Sequence, residues 1–177
     1  MIYGFGAGAL DPVSTPSHLI VVVALGLLLG QQGITHWKAA FPSFIVSLLA
    51  GLVLSNFYSN PFPLDNTLIL LFIALVAGLL AVLAYPIPRW LTWILAVKAG
   101  MVLGLDTIPP ALPGISPHKI YLTLAGAACS SSILLLGIAL LSLYLCKLWE
   151  GIALRVLGSW VTASAMLTLA LRFTHKI

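Results

Sequence analysis

An all-α bundle of about six transmembrane helices is what this 177-residue chain leads one to expect, and three features lead there. Four stretches, 12–37, 39–64, 66–88 and 120–146, contain no Asp, Glu, Lys or Arg. Each is long enough for the ~20 helical residues that cross the hydrocarbon core of a bilayer. Hydrophobic residues make up 61% of the chain and charged residues 7%, far below the roughly 25% charged of a soluble domain. Six helices of ~20 residues with short connections use the whole length, so residues 1–177 read as one integral-membrane domain.

The expected spans are about 18–33, 39–57, 67–85, 90–105, 120–145 and 152–171. Gln31-Gln32-Gly33 ends the first. Asn56 to Asn66, with Pro61 and Pro63, forms a turn-rich loop after the second, and Pro86 and Pro88 break the third from the fourth. Thr107 to Pro117 holds four prolines and one glycine, so it connects in extended form. The fifth span, at 26 residues or ~39 Å of helix, must tilt, kink or protrude. Met1 to Ser17 carries no Lys or Arg and no continuous apolar core, so no cleavable leader is expected there.

Six spans place both termini on one face, together with the 58–66 and 106–119 loops. Lys38, Arg89, Lys147 and Arg155 gather near the opposite face, against Lys119, Arg172 and Lys176. That bias puts the N-terminal face outside, hence periplasmic in a bacterial inner membrane. Apart from Lys98, the eight Lys and Arg are scattered singly near segment ends, which suits headgroup contact and argues against a nucleic-acid partner. Cys129 and Cys146 share one helix about 25 Å apart, too far for a disulfide.

Packing material is visible as two GxxxG pairs, Gly26 with Gly30 and Gly100 with Gly104. In lipid, small residues at this spacing let helix backbones approach closely. Ser130, Ser131 and Ser132 are expected to bond back to their own helix. Tryptophans 37, 90, 93, 149 and 160 mostly mark membrane–water boundaries, and His36 and His175 read as interfacial. Glu150 reads as a surface partner of Lys147 or Arg155.

Three of the four acids, Asp11, Asp65 and Asp106, fall on the N-terminal face, where His18 and His118 begin the first and fifth spans. Carboxylate plus imidazole is a donor set for divalent transition metals. Lys98 stands in the middle of the fourth span, where a charge costs at least ~2.5 kcal/mol and is usually paired or functional. It reads as an internal counter-ion to the carboxylates, two turns or about 12 Å before Asp106. No Ser/His/Asp set, phosphate-cradling glycine loop or dinucleotide fingerprint is present, so enzyme activity is not expected.

The stretch Gly4-Phe5-Gly6-Ala7-Gly8-Ala9-Leu10-Asp11-Pro12-Val13-Ser14-Thr15-Pro16-Ser17-His18 resembles the N-terminal signature G-F-x-x-G-x-x-H-P-x-x-G-x-D-H of the HupE/UreJ family. Its members are bacterial hydrogenase and urease accessory membrane proteins regarded as permeases for nickel or a related metal. Gly4, Phe5, Gly8, Pro12 and His18 match in register, while Asp11 stands at the first His and Ser17 at the Asp. In the fourth span, Lys98-Ala99-Gly100-Met101-Val102-Leu103-Gly104-Leu105-Asp106 is similar to F-H-G-x-[AV]-H-G-x-E. There Gly100 and Gly104 match and Asp106 replaces Glu, but both His positions hold Ala99 and Leu103. The stretch Arg155-x-x-Gly158-x-x-x-Thr162 also has the look of the family's last helix.

The resemblance implies a divergent six-span protein that binds or transports a divalent transition metal, nickel or similar. His18, Asp11 and Asp106 would be metal ligands, Asp65 and His118 entrance groups. The lost histidines and Lys98 point to an alternative. In it, a non-transporting structural or assembly subunit keeps the fold and docks into a larger membrane complex, or a homo-oligomer, through its glycine-rich faces.

Overall fold

The structure, a computed structural model, describes residues 4–57, 65–107, 117–149 and 151–174. Glu150, His175, Lys176 and most of the 58–66 and 106–119 loops lie outside them. Among the described residues seven helices follow one another: α1 (Phe5–Ser14), α2 (Pro16–Gln32), α3 (Ile34–Phe57), α4 (Asn66–Leu83), α5 (Arg89–Asp106), α6 (Pro117–Leu148) and α7 (Ile152–Thr174). The all-α class is as expected. Helix α1 is an addition, since its glycines and Pro12 read as tail.

What separates α1 from α2 is Pro16. The residue before a proline is pushed out of the α region, and Thr15 is extended at φ −99°, ψ 108°. Proline itself is well placed at the first helical position of α2. The chain turns by 83° at this junction. Between α2 and α3 a single residue suffices, because Gly33 takes φ +84°, which carries no Cβ penalty in glycine. α3 therefore begins at Ile34, five residues before the expected 39, and runs through Pro42.

Four described helices, α3, α4, α6 and α7, are long and apolar enough to cross a membrane, and the bent α1–α2 pair makes a fifth if it counts as one broken span. The remaining expected span, α5, has only 18 residues and carries Arg89, Lys98 and Asp106. By length and composition the count is thus four or five, short of six.

Helix α2 is the axis of the bundle and touches all six others. Val21, Val22, Ala24, Leu25, Leu28 and Leu29 are all buried, so the helix is apolar all round, as a central helix should be. Around it, α3 pairs with α5, α4 with α7, and α6 with both α1 and α2. Gly26 lies against Ile138 and Ala139, and Gly30 against Ser142 and Leu143, so α2 and α6 run parallel. Gly100 lies on Phe44 and Ser47, and Gly104 on Leu48, Gly51 and Leu52, so α3 and α5 are parallel too. A Cβ at any of these four positions would collide with the neighbouring helix.

These directions bring the starts of α2, α4 and α6 and the ends of α3 and α5 to one end of the bundle. At the other end the Gln32 amide clasps the α4–α5 connection. Its Nε2 donates to the Tyr85 carbonyl at 3.0 Å, and its Oε1 accepts from the Ile87 N–H at 3.2 Å. The His18 and Gln32 contacts thus lie at opposite ends of the bundle.

Candidate functional site

His18 is the third residue of α2 and only 2% exposed, the most deeply buried titratable group of the site. Its Nε2 lies 3.0 Å from Asp106 Oδ2, a hydrogen bond joining α2 to the last residue of α5. Its Nδ1 faces Asp11 Oδ2 at 3.5 Å. The 83° bend makes this possible by folding α1 back beside the start of α2. Contacts with α6 hold α1 there. Gly8 meets the Thr123 backbone and Gly126 the Phe5 backbone, so α1 and α6 cross with almost no gap. Ser130 Oγ donates to the Ala9 carbonyl at 2.6 Å across the same crossing.

The electrostatics favour acids here. Both carboxylates sit at the N-terminal end of α2, where the helix dipole stabilises negative charge. Asp106 needs that help, because its own position at the C-terminus of α5 is the unfavourable end for an acid. Its Oδ2 meets His18 Nε2 instead.

The two edges of the ring differ. The Nε2 edge is committed to Asp106. On the other edge, His18 Nδ1 and Asp11 Oδ2 are both buried and have no hydrogen-bond partner. A tetrahedral ion with N and O donors at about 2.1 Å separates those donors by about 3.4 Å, close to the 3.5 Å found. A histidine that ligates metal through one nitrogen typically donates its other N–H to a carboxylate, which fixes the ring. Asp106 stands in that orienting position.

This corrects the expected ligand set. His18, Asp11 and Asp106 do come together, but the carboxylates lie on opposite edges of the imidazole and cannot share one ion with it. Among the described residues no three His, Cys, Asp or Glu side chains are arranged to hold a metal. The site offers two protein donors, Asp11 and His18, with Asp106 behind them.

The other expected residues are placed as follows. Asp65 sits at the N-cap position of α4, half-buried, with its carbonyl accepting from the Leu68 N–H at 2.8 Å. His118 is exposed in the first turn of α6. Lys98 is exposed on the outside of α5 and makes no ion pair with the described acids, so it is not an internal counter-ion. Ser131 and Ser132 bond back to Ala127 and Ala128, whereas Ser130 bonds across to α1.

Sequence reasoning missed the Gly8–Gly126 crossing and the Gln32 clasp. Gly8 was visible as a signature glycine and Gly126 as a small residue among alanines, but nothing in the sequence paired them. Comparison with models of known families, with curated proteins and with solved structures finds no match.

Proposed function

We propose that this chain is a HupE/UreJ-like, multi-pass protein of the bacterial inner membrane that binds or transports a divalent transition metal cation, nickel or similar. One observation carries the proposal: a buried imidazole nitrogen and a buried carboxylate oxygen, neither of them hydrogen-bonded, face each other at 3.5 Å, a separation that suits a shared ion. Asp11 and His18 are the donors. Waters or cargo-bound ligands complete the coordination, and Asp106 holds the ring. In this reading all six apolar segments cross the bilayer, and the site opens to the periplasm with the N-terminus. Asp65 and the exposed His118 serve as entrance groups at the same end of the bundle. Lys98 sits on the outer surface and does not repel a dication there.

A second reading is favoured by the small donor count. With one nitrogen already bonded and only two donors on the other edge, the triad also works as a staple joining α1, α2 and α5. The protein would then be a structural subunit that has kept the fold and lost its cargo.

The experiment is cation binding by the purified protein and accumulation by cells expressing it. His18→Ala is expected to abolish both, and Asp11→Asn to remove most binding. Asp106→Asn is expected to weaken affinity about 10–100-fold, the usual effect of losing an orienting carboxylate. Unchanged accumulation in His18→Ala, or no binding by the wild type, transfers the vote to the staple.

A further inference from the structure

The two glycine pairs expected to dock the protein onto others are consumed inside the chain, against α3 and α6. That leaves Lys98 as the feature of the outer surface with no account. It stands nine residues from Arg89 and eight from Asp106 on the 18-residue α5, about 12–14 Å from either end. Its stem reaches roughly 6 Å, so snorkelling leaves the ammonium well short of both ends. Trp90, Trp93 and Met101 are exposed on the same helix, so α5 presents an open, apolar surface with one cation at mid-depth.

We infer that this face of α5 binds a membrane-spanning helix of a different protein, one that carries an Asp or Glu at mid-depth opposite Lys98. The inference rests on the membrane location proposed above. Charge complementarity selects the occupant. A lysine in hydrocarbon with no ion-pair partner among the described residues needs a carboxylate brought by another chain. The described residues of a second copy do not supply it. An isologous contact about an axis along the membrane normal pairs residues of equal depth, setting ammonium against ammonium. The acids among the described residues, Asp11, Asp65 and Asp106, all lie at one end of the bundle. None of these offers a carboxylate at the depth of Lys98.

The test uses the full chain in vesicles with a labelled leucine–alanine transmembrane peptide bearing one central Glu, or Gln in its place. Energy transfer to the labelled protein should show the Glu peptide binding about tenfold more tightly than the Gln peptide, the scale of polar pairing in membranes. Lys98→Met should remove the difference and Lys98→Arg should keep it. Alkaline carbonate extraction of the same vesicles separates the two readings. Release of the wild type overturns the membrane location and the pairing together. Retention without a Glu preference, or with a preference that survives in Lys98→Met, overturns the pairing alone. A preference that disappears when anionic lipid is added assigns Lys98 to headgroups and likewise overturns it.

Discussion

Removing the His18–Asp106 bond should cost more than any other polar contact at this end of the bundle, and a double-mutant cycle measures it. The bond spans 88 positions of sequence at 3.0 Å, with the His18 side chain 3% exposed and that of Asp106 21%. Hydrogen bonds to charged groups contribute about 1.5–3 kcal/mol, and partial exposure of Asp106 puts the expectation in the lower half, near 2 kcal/mol. The Asp11 contact is longer at 3.5 Å, lacks hydrogen-bond geometry, and its acid is 36% exposed. Its coupling should not exceed roughly 0.5 kcal/mol. His18→Ala, Asp106→Asn and the double variant, unfolded reversibly in mixed micelles, give the first coupling energy. Asp11→Asn in place of Asp106→Asn gives the second. The cycle subtracts the cavity left by the imidazole, which appears in both arms. A His18–Asp106 coupling below about 0.5 kcal/mol, or a larger one for Asp11, refutes the assignment of the two ring edges.

Two further outcomes follow from helix packing and direction. Gly104→Ala places a methyl on the backbone of Leu48 and Leu52 and should destabilise by about 1–3 kcal/mol, whereas Gly137→Ala, with nothing within 4 Å, should be neutral or gain up to ~1 kcal/mol from helix propensity; equal melting shifts for the two would undo the α3–α5 assignment. With Cys129 and Cys146 replaced, single cysteines at Asp65 and His118 should label from one side of the membrane and those at Tyr85 and Trp149 from the other; labelling of 65 and 118 from opposite sides would break up the proposed entrance.

Much of the fold was legible because the apolar runs are long and the breaks are punctuated by Pro and Gly. The site was legible in part for the same reason: alternating spans bring Asp11, His18 and Asp106 to one face whatever the packing. Ring orientation was not, since which nitrogen meets which acid depends on the 83° bend, and Pro16 foretells a break but not its angle. α1 was missed because residues 5–14 mix glycine and proline in a way that reads as tail. Lys98 was misplaced although its signal was present. Gly100 is two residues on, about 200° round the helix, so a Gly100 face turned to a neighbour sends Lys98 the opposite way. Helical phase, weighed against the packing motif, would have put the cation outside.

The two readings of the triad divide along the two edges of one imidazole. The Nε2 bond to Asp106 ties α2 to α5 and fixes the ring, which any protein with this fold benefits from, cargo or not. The Nδ1 edge contributes little of the kind: a buried nitrogen and a buried oxygen face each other at 3.5 Å as an ion-pair contact without a hydrogen bond, which offsets only part of the cost, about 1–3 kcal/mol, of burying a polar group that makes no hydrogen bond. A staple alone gives no reason to retain that cost, and replacing Asp11 with an apolar residue would relieve part of it. A site that must accept and release a cation does give a reason, because a donor pair already satisfied by the protein would have to be broken before cargo could bind. Stability should therefore track Asp106 and cation binding should track Asp11, with His18 required for both. That division is what a binding site supported by its own orienting carboxylate demands, and a purely structural triad has no cause to show it.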